Sequence, residues 1–271
     1  MPYRSCIWIL TGLVAAGASG HGDLHDRIDV ITITLQASPT DPALLRKRAI
    51  LHLEHEDWVA ALSDVELARA CGDLEDADLL RGRILLDARW YAAACEAFDA
   101  HCAHHPDEPR ARRWRARAYG GAGRLALANR EYAWVAANET DLAADFYLEW
   151  ADAVGPEHAA HAIDLGLARI GPVVTLLERG IDLAIARGAT DEAMVFVDAL
   201  EHIGVVRGTV LRHRADILQA DGQIADAHTT YLEARQAIAD APARTRRVLQ
   251  SELARIERGI AATESAKETT E

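Results

Sequence analysis

Apolar and small positions recur along the chain with a period near 34 residues. Ala61, Ala94, Ala128, Ala160, Ala193 and Ala227 stand 33, 34, 32, 33 and 34 residues apart. Four residues after each come Val65, Phe98, Tyr132, Asp164, Val197 and Tyr231, apolar in all but one. Twelve residues before the alanines stand Ala49, Gly82, Ala116, Leu148, Ile181 and Ala215, most of them small. Gly123, Gly155, Gly188 and Gly222 lie five residues before the alanine in four of the six units. Residues four apart share a helix face, small residues let two helices approach, and glycine takes the left-handed turn that ends a helix. The pattern predicts a helical hairpin repeated six times, over 42–74, 75–108, 109–140, 141–173, 174–207 and 208–241. One hairpin cannot bury its own stripe, so neighbouring hairpins must stack.

The columns resemble the tetratricopeptide repeat family, whose signature runs from a small residue through Ala-x-x-x-Phe to Pro. Residues 75–108 match best, with Gly82, Ala94, Phe98 and Pro106 in place. Residues 42–74 carry Ala49, Trp58 and Ala61, and residues 208–241 carry Ala215, Gly222, Ala227, Tyr231 and Ala234. The resemblance covers 42–241 and departs most between 141 and 207, at Leu148, Asp164, Ile181 and Thr190. It implies an all-α, right-handed α-solenoid of about six hairpins, flanked by N- and C-terminal helices. It further implies a non-catalytic scaffold that binds a protein or peptide.

The flanks follow the same reading. Residues 21–41 predict a leading helix with Asp23 as N-cap and Leu24, Ile28, Ile31 and Leu35 on one face. Its β-branched ITIT run reads equally as a short strand. Residues 242–262 predict a one-sided capping helix carrying Val248 or Leu249, Leu253, Ile256 and Ile260. The polar tail 263–271 is expected to be disordered.

The first twenty residues have a different layout. Arg4 precedes an apolar run from Cys6 to about Ala18, and small residues fill Ala15 to Gly20. That is a secretory signal peptide over 1–20, with cleavage after Gly20 or Ala18, and an uncleaved anchor is the rival reading. No other apolar stretch reaches membrane length, so the expectation is an exported bacterial-type protein, periplasmic or secreted, with no membrane span after cleavage.

Composition narrows the function. The 271 residues are 50% hydrophobic but 6% aromatic, which suits helices closed by Ala and Gly rather than β-sandwiches. Lys plus Arg number 29 against 42 Asp plus Glu, a net charge of −13. Such an acidic chain is a poor nucleic-acid binder, because displacing phosphate counterions takes cations. Loss of residues 1–20 removes one Arg and leaves −14. No P-loop, nucleophile elbow, Rossmann glycine set or zinc-protease helix occurs, so neither an enzyme nor a cofactor is expected.

Against this acidity, residues 110–117 read RARRWRAR, five arginines in eight. In the family, the first helix of each unit lines a concave groove. Carried over by column, the groove residues are Arg110, Arg113 and Arg117, joined by Arg46 and Arg83 from neighbouring units. Arg binds carboxylates bidentately, so this groove predicts an acidic peptide or protein partner. The competing reading is intramolecular pairing: Arg48, Arg81, Arg115 and Arg214 share another column, and Asp64 lies sixteen residues after Arg48. The alternative function is copper handling in an extracytoplasmic protein, through a mature N-terminus with His21 and His25. His101, Cys102, His104 and His105 before Pro106 fit a helix C-terminus better than a metal site. Cys95 and Cys102, about 10 Å apart on one helix, are too distant to bridge. Pairing of Cys71 with either stays open beside plain burial.

Overall fold

The structure, a computed structural model, describes residues 19–72 and 77–270. Most of the expected signal segment, residues 1–18, lies outside the described residues. The described residues form helices and no strand: α1 Ser19–Ala37, α2 Pro42–Glu54, α3 Trp58–Ala70, α4 Ala77–Asp87, α5 Tyr91–His104, α6 Pro109–Gly121, α7 Leu125–Asn138, α8 Ala144–Ala153, α9 Pro156–Ile170, α10 Val174–Ala186, α11 Thr190–His202, α12 Arg207–Ala220, α13 Ile224–Ala239, α14 Ala243–Val248 and α15 Gln250–Thr270. They form two compact units that meet in sequence at Ala122 and Gly123. The first holds α1 to α6 and the second α7 to α15. Within each unit, every helix packs on its predecessor, except that α14 adds little beyond its contact with α15. First helices also touch first helices, α4 on α6 and α8 on α10 on α12.

Local sequence explains the helix starts. Pro42 sits at the first position of α2, and the Asp41 carboxylate accepts from the backbone N–H groups of Ala43 (2.9 Å) and Leu44 (3.1 Å). Asp57 does the same for α3 through Ala60 N–H, at 3.1 Å. The ITIT stretch is helical, because Ile31 and Leu35 bury against Leu45, Leu51 and Ala68 and tertiary packing outweighs β-propensity.

The columns are the core. Ala61, Ala94, Ala128, Ala193 and Ala227 are fully buried, as are Ala49, Ala116, Ile181 and Ala215. Residues 174–207 hold their register, with Ile181, Ala193 and Val197 in one cluster. Residues 141–173 do not: the buried set is Tyr147, Ala159 and Ile163, one residue earlier than Leu148, Ala160 and Asp164. The aromatic Tyr147 occupies the small-residue column, and room for it comes from Gly166, where a Cβ would lie 2.8 Å from the ring. Asp164, the exception in the apolar column, is therefore not a column residue.

The hairpin turn is also clearer than its glycines. Gly123, Gly188 and Gly222 have φ of 72, 69 and 80°, and Glu56 and Arg89 adopt the same left-handed conformation at 61°. The turns at Glu56, Arg89, Gly188 and Gly222 each end a helix in a six-to-one hydrogen bond, such as Asp57 N–H to His52 C=O at 2.9 Å and Gln223 N–H to Leu218 C=O at 2.9 Å. Gly155, by contrast, has φ −68° and caps the start of α9 before Pro156.

The C-terminal region departs from expectation in two ways. The chain breaks at Leu249, so that a short α14, with Val248 76% exposed, precedes α15. Helix α15 then continues through the expected disordered tail to Thr270. Ile256 and Ile260 bury against α13, and Thr263, wholly buried, has its hydroxyl oxygen 2.9 Å from His228 Nδ1, which anchors the extension. None of Cys71, Cys95 and Cys102 is in a disulfide. Cys95 and Cys102 are buried in α5 as small core residues.

Candidate functional site

The arginine-rich segment forms α6, started by Pro109 with Arg110 exposed beside it. Ala111, Ala116, Ala118 and Tyr119 are its buried side, which turns the intervening residues outward. Trp114 sits half-buried, its ring 6.3 Å from that of Phe98 on α5. Two guanidinium groups lie over this ring, Arg110 of α6 and Arg83 of α4, each 4.6 Å from the centroid. Cation–π contacts at partly exposed sites are worth about 0.5–1 kcal/mol each. They hold two cations close together despite their repulsion. Stacking uses the flat face of a guanidinium, so the N–H donors along its edge are still suited to bidentate carboxylate binding.

Of the five predicted groove arginines, the structure gathers Arg83 and Arg110 around Trp114. Arg46, Arg113 and Arg117 are half-buried, and each has an interaction partner within the protein. Trp114 itself is the platform that joins the pair. Arg112 is directed elsewhere, donating to the Pro106 carbonyl at 2.6 Å.

The other arginine column is structural. Arg48 makes a two-pronged pair with Asp64, Nε to Oδ2 at 2.7 Å and Nη2 to Oδ1 at 2.6 Å. Arg81, Arg115 and Arg214 reach back to the preceding hairpin: Arg81 to Glu66 (2.8 Å), Arg115 to Asp99 (3.4 Å), Arg214 to Asp198 and Glu201 (both 2.9 Å).

The histidines divide similarly. His21's side chain lies outside the described residues, while the exposed His25 ring is 4.5 Å from that of His55. Among the described residues no three His, Cys, Asp or Glu side chains come together as a metal-binding group. His101 is buried with Nε2 2.7 Å from Glu108 Oε2, and His105 stacks on it at 4.7 Å, closing the α5–α6 turn.

Sequence reasoning missed a buried polar network in the second unit. Arg212, 6% exposed, donates to Glu252 of α15 at 2.5 Å and also to Asp216. His213 accepts at Nε2 from Arg212 at 2.5 Å. Burial, together with Arg212 and Arg255, pushes the His213 imidazole down to about 3. Burial likewise raises the Asp216 and Glu178 carboxyls above their usual range. Tyr231 O–H donates to Asp216 at 2.5 Å, and burial together with this hydrogen bond makes it hold its own proton more tightly. Arg212 and Glu252 are forty residues apart, and no local pattern signals such a pair.

No protein-family model and no curated protein matches the chain. Among solved structures it is similar to a tetratricopeptide repeat protein from Parabacteroides merdae, at 13% identity over 90% of this chain and 93% of that one, with a TM-score of 0.53. It also aligns partially with MamA from Desulfovibrio magneticus, at 15% identity over 63% of this chain and 89% of that one, with a TM-score of 0.44. The first of these likenesses places the fold in the all-α, tetratricopeptide-type repeat-solenoid class.

Proposed function

We propose that the protein is a non-catalytic interaction scaffold, exported to the periplasm or beyond, that holds an acidic protein segment on the α4–α6 face. The observation that carries this reading is the pair of guanidinium groups, Arg83 and Arg110, stacked over Trp114. In a chain of net charge −13, a preorganised cationic pair is a local exception. Its chemistry suits a carboxylate-bearing segment. Export rests on the layout of residues 1–20, a short positive start followed by an apolar run and small residues.

A fluorescein-labelled Asp/Glu-rich peptide, followed by anisotropy, tests the site. Arg83→Glu with Arg110→Glu should weaken its binding about tenfold or more, with an unchanged far-UV circular dichroism spectrum. Binding to the parent should also fall as salt rises. Equal affinity of parent and variant for the peptide would overturn the assignment.

A further inference from the structure

A stack of hairpins needs a polar outer face on its terminal helices, because those faces have no next repeat to cover them. The last helix obeys this rule. α15 buries Ile256 and Ile260 and exposes Arg255, Glu257, Arg258 and Glu264. The leading helix does not. α1 buries Ile31 and Leu35 against α2 and α3, yet leaves Val30 63% and Ile33 64% exposed, one turn apart on its outer side. Beside them is a hollow of about 230 Å³ between α1 and α2. Ile31 and Leu51, both buried, contribute to its lining together with Val30, and Asp26, Arg27 and Lys47 make up the rest. It is a largely apolar depression beside an aliphatic knob.

We infer that this face is an interface between two copies of the chain, related by a two-fold axis with α1 against α1. Two features select a second copy as the occupant. The patch carries both a knob (Val30 and Ile33) and a hole (the hollow), so one surface complements itself when duplicated, as a two-fold contact requires. Its charges are also of both signs: Asp26 and Asp29 stand on α1, and Lys47 stands across the hollow on α2, all exposed. A two-fold axis brings the acids of one copy towards the lysine of the other. Arg27 is turned to Glu54 within its own chain, at 3.9 Å.

The contact forms between two molecules that each carry −13, so it must overcome a general repulsion through local apolar burial. This gives it a salt dependence opposite in sign to that of an acidic peptide on the α4–α6 face. Added salt screens the repulsion between the whole molecules, which outweighs its weakening of the few Asp–Lys pairs, and so tightens the dimer, whereas it loosens the peptide.

Sedimentation velocity on the full chain, over a concentration series at low and high salt, tests the inference. The parent should sediment as a dimer that dissociates on dilution and is tighter at high salt. Val30→Glu with Ile33→Glu, both at exposed positions, should weaken association about a hundredfold or more. The variant should keep its helical spectrum and its affinity for the acidic peptide, which separates this interface from the proposed binding face. A parent that is monomeric at every concentration, or a variant that dimerises as the parent does, overturns the two-copy assignment.

Discussion

The most exacting test of the packing is a single methyl group at Gly82. This glycine occupies the column that holds Ala49 and Ala215 in other hairpins, and it faces Phe98, fully buried on α5. A Cβ at Gly82 would lie 2.6, 2.7 and 2.9 Å from three atoms of the Phe98 ring. Carbon atoms pack comfortably at about 3.5–4 Å, so this is a hard overlap. The ring has no exposed side to swing towards. Overpacking of this kind costs about 1–3 kcal/mol, while replacing a mid-helix glycine by alanine returns about 1 kcal/mol of helix propensity. Gly82→Ala should therefore destabilise the protein by up to about 2 kcal/mol. Phe98→Val alone should cost about 2–3 kcal/mol through the cavity it opens. In the double variant the two defects fill one another, as Ala49 and Val65 already do one hairpin earlier. The double variant should then be more stable than the sum of the single changes by about 1–2 kcal/mol. Urea unfolding followed by circular dichroism, on all four members of the cycle, measures this. A Gly82→Ala protein as stable as its parent, with additive behaviour in the double variant, would falsify the idea that each hairpin is closed by an exchange of volume between its two helices.

Two electrostatic predictions complement it. Asp64→Ala leaves Arg48 without its two-pronged partner at a side-chain exposure of 21% and should cost about 2 kcal/mol. Asp198→Ala, whose side chain is 69% exposed beside Arg214, should change stability by less than about 0.5 kcal/mol. Similar losses in the same urea titration would contradict this ranking. The third concerns pH. His213 falls from 6.5 to about 3 on folding, so the unfolded chain takes up its proton first. Stability from this group is complete above pH 6.5 and is lost as pH falls towards 3, by about 2 kcal/mol between pH 7 and 5. The raised carboxyls of Asp216 and Glu178 act with the opposite sign. They are present in both proteins of the comparison. His213→Gln should flatten the stability profile between pH 7 and 5, and an unchanged slope would refute the assignment.

The hairpins were legible in the sequence because their determinants are local. A column of Ala or Gly and an apolar residue four further on share a helix face, and both are read without knowing the fold. At residues 141–173 volume, not residue type, sets the register. Leu148 and Ala160 satisfied the pattern, but Tyr147 took the buried column because Gly166 made room for it. The turn column was seen only where glycine marked it, while Glu56 and Arg89 adopt the same backbone without that mark. At the candidate site, the arginine run was visible, but its arrangement was not. Stacking of Arg83 over Trp114 depends on two helices lying side by side, and nothing along either helix states it. The Arg212–Glu252 pair was hidden for the same reason, as was the helical course of residues 263–270, which rests on Thr263 reaching α13.

Glu56 and Arg89 also bear on how the chain assembles. A side chain in the left-handed conformation costs about 1 kcal/mol that glycine avoids. The α10–α11 and α12–α13 turns, at Gly188 and Gly222, lie within the ordinary preferences of an unfolded chain. The α2–α3 and α4–α5 turns do not, and they are held by the burial of Ala61 and Ala94 against their partner helices. That cost lowers the population of the two left-handed turns of the first unit about fivefold in an unfolded chain, so they lean more on side-chain packing than the glycine turns of the second. The choice of one residue per turn thus sets how far each hairpin is favoured by its own backbone and how far by the packing of its neighbours.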